Sequence, residues 1–225
     1  MKTLIIQVSI DGGGYAYSDP DILKNLEESL IPSVKRYCNK YNYDYKMITD
    51  WPDDYDVKWF NRNESKNKAT TLIRYLNMDQ PEYDRIVSLD NDIYIKNDAK
   101  PLPKIKGHNA ISDNGQINSV KSLYKNFVNG GVQMVDRKSG KKIKEYFANI
   151  CNNKTPTPNN HYTDQAYINY WRDTNEDQAN FLDNNWNYFI NSTLHRTNKN
   201  INFYHYAGRA GRKYIIEDIK AKFII

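Results

Sequence analysis

A chain of 225 residues is long enough for one domain with a full core and short for two. Its mean hydropathy is low at −0.85, yet 19 Tyr, 7 Phe and 4 Trp exclude a disordered polymer, because such chains lack rings that bury area. A net charge of +5 without a long Lys/Arg run argues against nucleic acid and suits a cleft for an anionic small molecule such as a nucleotide diphosphate.

Leu4 to Ile10 is a nearly continuous β-type run, the pattern of a strand buried on both faces. It is too short to span a bilayer and no cleavage site follows it, so the protein is expected to be soluble and cytoplasmic, with no integral membrane segment. Asp11-Gly12-Gly13-Gly14 ends the run as a loop, and Ser18-Asp19-Pro20-Asp21 has the character of a helix start. Ile22, Leu23, Leu26, Leu30, Val34 and Tyr37 continue at helical spacing, with Pro32 expected to kink or divide the helix. Tyr43–Thr49 reads as a second strand, Lys68–Asn77 as a second helix, and Arg85–Leu89 as a third strand ending at Asp90. Such alternation implies parallel pairing with right-handed crossovers, and ligands of open parallel sheets bind beyond the carboxyl ends of the strands. Further on, Gly131–Val135 reads as a strand, Lys138–Ile150 and Thr163–Trp171 as helices, Thr155–Asn160 as a loop, and Ile201–His205 as a late strand. Cys38 and Cys151 have neither metal-ligand nor redox spacing, which points to a reducing compartment.

In Asp90-Asn91-Asp92 the two acids stand two apart; on extended chain their carboxylates share one side, roughly 6.5–7 Å apart. Hard oxygen ligands of this kind suit Mg²⁺ or Mn²⁺. Asp19/Asp21 and Asp54/Asp56 share the spacing, but helix capping and a polar loop account for them; only Asp90/Asp92 follows an apolar strand. Tyr204 to Lys213 joins His205, Gly208, Gly211 and the cations Arg209, Arg212 and Lys213 in what reads as a short loop. Its imidazole can ligate Mn²⁺ and its cations can clamp phosphate, or the segment is a basic tail. The Gly12 loop completes neither a dinucleotide fingerprint nor a P-loop, and no G-x-S-x-G elbow or H-E-x-x-H helix is present.

In this order the segments Tyr83–Ile95, Phe127–Asp136, Thr163–Asn169, Asn184-Asn185-Trp186-Asn187 and His205-x-x-Gly208 resemble the nucleotide-sugar glycosyltransferases of the GT-A fold, particularly the glycogenin and lipopolysaccharide galactosyltransferase group. The resemblance covers Lys2 to Lys213. It implies an α/β chain with a GT-A-like (Rossmann-like), mixed but mainly parallel central sheet flanked by helices. It further implies one domain, with residues 1–100 as the nucleotide-binding half and 101–225 as the sugar and acceptor half. Carried over, Asp90, Asp92 and His205 hold Mn²⁺ or Mg²⁺. Ser9, Asp11, Lys68, Arg74, Asp90, Asn91, Asn129, Gly130, Gly208 and Lys213 bind the donor, a nucleotide-diphosphate sugar with UDP favoured. Asp164 and Gln165 flank the reacting face of the transferred hexose, which goes to a saccharide hydroxyl. One departure stands out: the family's late lysine and Pro-Trp are replaced by Gly211-Arg212-Lys213. A nucleotidyltransferase making nucleotide sugars and a non-catalytic nucleotide- or sugar-binding module stay open as alternatives.

Overall fold

The structure, a computed structural model, describes residues 1–10, 24–63, 68–112, 124–125, 127–156, 163–190 and 193–224, with the side chains of 61–63, 68–69, 163–164, 193–194 and 209–210 outside that description. The proposed helix start at Ser18, the Gly12 loop and Asp11 lie outside the described residues.

Strand β1 (Thr3–Val8) is buried along its length because it is flanked on both sides, pairing in parallel with β2 (Asp44–Ile48) and with β3 (Arg85–Leu89). Period-two geometry splits its apolar run between two cores. Leu4 and Ile6 pack with Ile86 and Val135 under one helical layer, whereas Ile5 faces the opposite side with Val87, Leu89 and Met134. The sheet continues through β6 (Val128–Asp136), β5 (His108–Ser112) and β7 (Ala179–Phe181), in the order β2-β1-β3-β6-β5-β7. β6 is antiparallel to both of its neighbours while the other three pairings are parallel, so five of the six strands run one way and β6 alone is reversed. This is the mixed, mainly parallel sheet that the sequence predicts.

Helix α1 joins a π-helical turn, Leu26–Leu30, to a regular helix, Ile31–Tyr41. The division falls at Pro32, whose ring clashes with the carbonyl four residues earlier and whose nitrogen cannot donate to it. Ser33 Oγ donates to Leu30 O at 2.6 Å and accepts from Ile95 N at 3.0 Å, tying this junction to the next sheet. Helices α3 (Lys68–Leu76), α4 (Arg137–Asn153) and α5 (Thr163–Thr174) cover the first core. Asp136 caps α4 through a bond from Ser139 N at 2.8 Å. Tyr75 stacks on Phe147 at 4.1 Å between ring centroids, locking α3 against α4. The short α2 (Lys58–Asn63) and strand β5 were not anticipated: five or six residues with polar breaks show no period.

A second sheet of three short strands, β4 (Ile93–Ile95), β9 (Phe203–His205) and β8 (Tyr188–Phe189), lies past the end of β3. Its core joins the tyrosines Tyr94, Tyr204 and Tyr206 to aliphatic residues that include Ile215, Leu26 and Leu30. The stretch expected to be a basic loop is helical: α6 spans Gly208–Lys220. Gly208 and Gly211 suggested a break, but burial of Ile215 and Asp218 outweighs the low helix propensity of two glycines near the helix start. Asp218 is fully buried and accepts from Tyr206 Oη at 2.6 Å, from Arg196 Nε at 2.6 Å and from His195 Nε2 at 2.6 Å. Burial alone would raise this carboxyl; the hydrogen bonds outweigh it and hold it below the ordinary carboxylate range.

A second buried polar chain crosses the main sheet. Arg172 Nη1 donates to His108 Nδ1 at 2.7 Å, His108 Nε2 bonds Gln133 Oε1 at 2.7 Å, and Gln133 Nε2 donates to Tyr75 Oη at 2.7 Å. Because a guanidinium only donates, His108 Nδ1 accepts and the ring proton sits on Nε2. Burial and then the neighbouring Arg172 charge push His108 down to about 3, so it is neutral.

Candidate metal and donor site

The carboxyl end of β3 opens into the site. The sequence argument took Asp90 and Asp92 as neighbours on extended chain; instead, residues 90–93 form a turn closed by Ile93 N donating to Asp90 O at 3.3 Å. The turn folds the two carboxylates toward each other, so they meet by chain reversal and not by strand periodicity. Pairing of β4 with β9 then sets Ile93 opposite His205, and Tyr206 N donates to Asp92 O at 2.9 Å. One ligand atom each from Asp90, Asp92 and His205 falls within 4.8 Å of the other two.

His205 Nε2 stands 3.2 Å from Asp92 Oδ1 and 3.6 Å from Asp90 Oδ2. Burial opposes the imidazolium, but the Asp92 and Asp90 charges prevail and raise His205 above its ordinary value. Burial likewise opposes the Asp92 carboxylate, and the charges and hydrogen bonds of His205 and Arg212 prevail to hold it below its own. The ring of His205 is fixed by contact. Phe189 lies 5.1 Å away between centroids, and the ring edge abuts Gly131, where a Cβ would come within 2.2 Å of Cε1 and 2.5 Å of Nδ1. His205 Nδ1 is buried without a hydrogen-bond partner. Two oxygens and an imidazole nitrogen, already aimed at one point, fit a Mn²⁺ or Mg²⁺ ion.

The walls come from several elements. Arg74, buried on α3, donates from Nη1 to Gly130 O at 2.6 Å and from Nη2 to Asp90 Oδ1. Asp90 N donates to Gly131 O at 2.8 Å, and Gln7 Nε2 to Asp90 O at 3.1 Å, which fixes the acid's backbone between β1 and β6. Asn91 Nδ2 donates to Val8 O at 2.9 Å while its Oδ1 is buried and unpartnered. Ser9, exposed just past β1, donates its amide to Ile48 O at 2.9 Å. Asn129 Oδ1 accepts from Gly131 N at 2.7 Å and from Asn187 Nδ2 at 3.2 Å. Asn169 binds the backbone of Val128 and the carbonyl of Gln165, so the first turns of α5 lie against the start of β6. Gln165 Oε1 is buried there with no partner. Gly208 starts α6 with φ at +61°, and exposed Lys213 lies over the Tyr214 ring at 4.8 Å. Asp11 lies outside the described residues, as do the side chains of Lys68 and Asp164.

Two contributors were not assigned in the sequence, and a third, Arg212, was assigned only to phosphate. Asn187 sits in a short Trp-Asn segment that carried no role, and Gly131 was read only as part of a strand. Arg212 was one of three cations in the segment taken for a loop; on α6 it reaches Asp92 Oδ2 from Nη2 at 3.2 Å and Nε at 3.3 Å.

No protein-family model matches the chain, and no curated protein matches it by sequence. Solved structures match it in shape over nearly its full length. A glycosyltransferase involved in the glycosylation of the major capsid of PBCV-1 is 16% identical with a TM-score of 0.65, covering 98% of this chain and 100% of that one. The galactosyltransferase LgtC, solved with donor and acceptor sugar analogs, is 13% identical with a TM-score of 0.55, covering 97% of this chain and 95% of that one. The glycosyltransferase GlyE of Streptococcus pneumoniae TIGR4 is 15% identical with a TM-score of 0.54, and this chain spans 64% of its length. At these identities the likeness is one of fold.

Proposed function

We propose, from the premise that this chain has the GT-A fold of the glycosyltransferases it matches, that it is a metal-dependent enzyme moving a hexosyl group from a nucleotide-diphosphate sugar to a saccharide hydroxyl. The observation that carries the reading is the convergence of Asp90, Asp92 and His205 at the carboxyl end of a central strand, where open sheets of this class bind ligands. Asp90, Asp92 and His205 would hold the cation. A Mn²⁺ or Mg²⁺ ion bound there supplies Lewis-acid neutralisation of the leaving diphosphate.

The chain's own groups do the positioning. Arg74 fixes the Asp90 carboxylate and the Gly130 carbonyl together, so acid and strand wall keep a set spacing. Ser9 and Asp11 would lie near the base or ribose, with Asn91 a further donor contact, and the favoured donor carries UDP. Gln165, with a buried amide oxygen lacking a partner, is suited to orient the transferred sugar, and Asp164 beside it is the carboxylate nominated for its reacting face. If Asp164 acts as base toward the acceptor hydroxyl, the product is inverted; retention places Asp164 or Gln165 at the anomeric carbon instead. The resemblance favours retention, and NMR of the product's anomeric proton decides between the two. Lys68, Gly208 and Lys213 are further donor-contact candidates. The setting is cytoplasmic; among the described residues no helix is long and apolar enough to cross a membrane.

The test is a thermal-shift screen of UDP, GDP, dTDP and CDP, with and without Mn²⁺, on wild type and Asp92→Asn. A nucleotide at about a hundred times its dissociation constant adds roughly 2.7 kcal/mol. That is a shift of several degrees, at roughly 2–4 °C per kcal/mol for a chain of this size. The expected result is a shift with one base that needs metal and disappears in the variant. A cooperative melt unmoved by every nucleotide would reduce the likeness to one of fold.

A further inference from the structure

Asp92 is 3% exposed and both of its oxygens are engaged. Oδ1 faces His205 Nε2, and Oδ2 accepts from Arg212 Nη2 and Nε at 3.2 and 3.3 Å. Arg212 reaches the site from a fixed mount. At Gly211, the residue before it, a Cβ would stand 2.5 Å from the Tyr206 carbonyl carbon, so the first turn of α6 seats directly on that backbone. Tyr206 in turn donates its amide to Asp92 O, and its hydroxyl to Asp218 two turns along the same helix. Helix, strand end and acid therefore form one closed set of contacts, with the guanidinium on Asp92 Oδ2.

A guanidinium does not lose its charge at any working pH. A divalent ion entering among Asp90, Asp92 and His205 meets that charge on the very carboxylate it needs. Repulsion at this range, even at an effective dielectric near 20, weakens cation binding on the order of tenfold or more. A diphosphate brings enough negative charge to relieve it.

We propose that Arg212 is the resident counter-cation of Asp92, neutralising the acid before a metal arrives and keeping the nucleotide-free protein's affinity for divalent cations low. The inference rests on the metal-site reading above. Its consequence is that metal and diphosphate strengthen each other's binding by one common factor.

The test titrates Mn²⁺ alone into wild type, R212Q, R212K and D92N, with free Mn²⁺ read by electron paramagnetic resonance and folding by circular-dichroism melts. R212Q is expected to bind Mn²⁺ about tenfold more tightly than wild type or better. R212K keeps the charge and stays within about threefold of wild type, and D92N loses binding. If R212Q melts below the assay temperature, R212M, which keeps the packed stem, takes its place. Affinity in R212Q or R212M equal to or below wild type, with binding still lost in D92N, overturns the counter-cation role and leaves the metal site standing. A gain in R212K as large as in R212Q also overturns it, since charge would then not be the cause. Mn²⁺ binding indifferent to D92N, or absent throughout, removes the metal site and this proposal together.

Discussion

A methyl group at Gly131 would stand 2.2 Å from His205 Cε1 and 2.9 Å from Asn129 Oδ1, on a buried strand with no room to yield. Gly131→Ala is therefore expected to displace the imidazole and destabilise the fold by about 1–3 kcal/mol, the usual cost of overpacking. Mn²⁺ affinity and a denaturant melt measured on the same sample check both effects; unchanged Mn²⁺ binding would show that the ring can move freely. His205 itself predicts a pH dependence. Its folded value is raised, so its ion pair stabilises the metal-free protein fully below the ordinary imidazole value and loses that contribution as pH rises through the raised one. The Asp92 value is depressed, so its share is present above the ordinary carboxylate value and is lost as pH falls through the lower one. A metal needs the imidazole without its proton, so Mn²⁺ affinity should run the other way and increase as pH rises through the raised His205 value. Calorimetric titration at several pH values checks the sign. Of these residues, the two acids were legible because an apolar strand ends on them. Gly131 was not, because the atom that demands a glycine belongs to a histidine 74 positions later, and nothing local reports that contact.

Several elements of the first hundred residues announce themselves. β1 and β3 are continuous β-type runs and α3 has a helical period, and their predicted ends agree with the structure to within a few residues. The second sheet does not, since strands of two or three residues have no period to read. α6 was hidden by its two glycines and is held in place by tertiary contacts, above all the buried Asp218. Asp218→Asn removes the charge that His195, Arg196 and Tyr206 share and replaces one of the two accepting oxygens by an amide donor. The expected cost is about 3–5 kcal/mol, as for other buried pairs broken from one side. A melt shifted by less than a degree would mean that α6 is anchored by Ile215 and its apolar neighbours alone.

Across the whole molecule, the main sheet divides its packing between two cores, and each core contains one cysteine. Cys151 lies among the residues of the first, and Cys38 among those of the second. Burial pushes both thiols up to about 12, so neither reacts in the native state. If the two faces of the sheet open as one unit, both should label with a thiol reagent at the same rate, and equally faster in urea. Different rates would mean that one helical layer leaves the sheet before the other. The mainly parallel order of the sheet was readable from strand-helix alternation, but the reversal of β6 was not. Its partners, β3 and β5, flank it in space while long stretches of chain separate it from the nearest β-type run.

The buried chain from Arg172 to Tyr75 has a use for the spectroscopist. Of the four histidines in the sequence, His108 is locked in one tautomer by a cation that can only donate, and it stays neutral down to about pH 3. Its ring nitrogen signals should therefore stand still while His205 titrates. The fold thus contains its own chemical-shift standard against which the His205 titration can be followed.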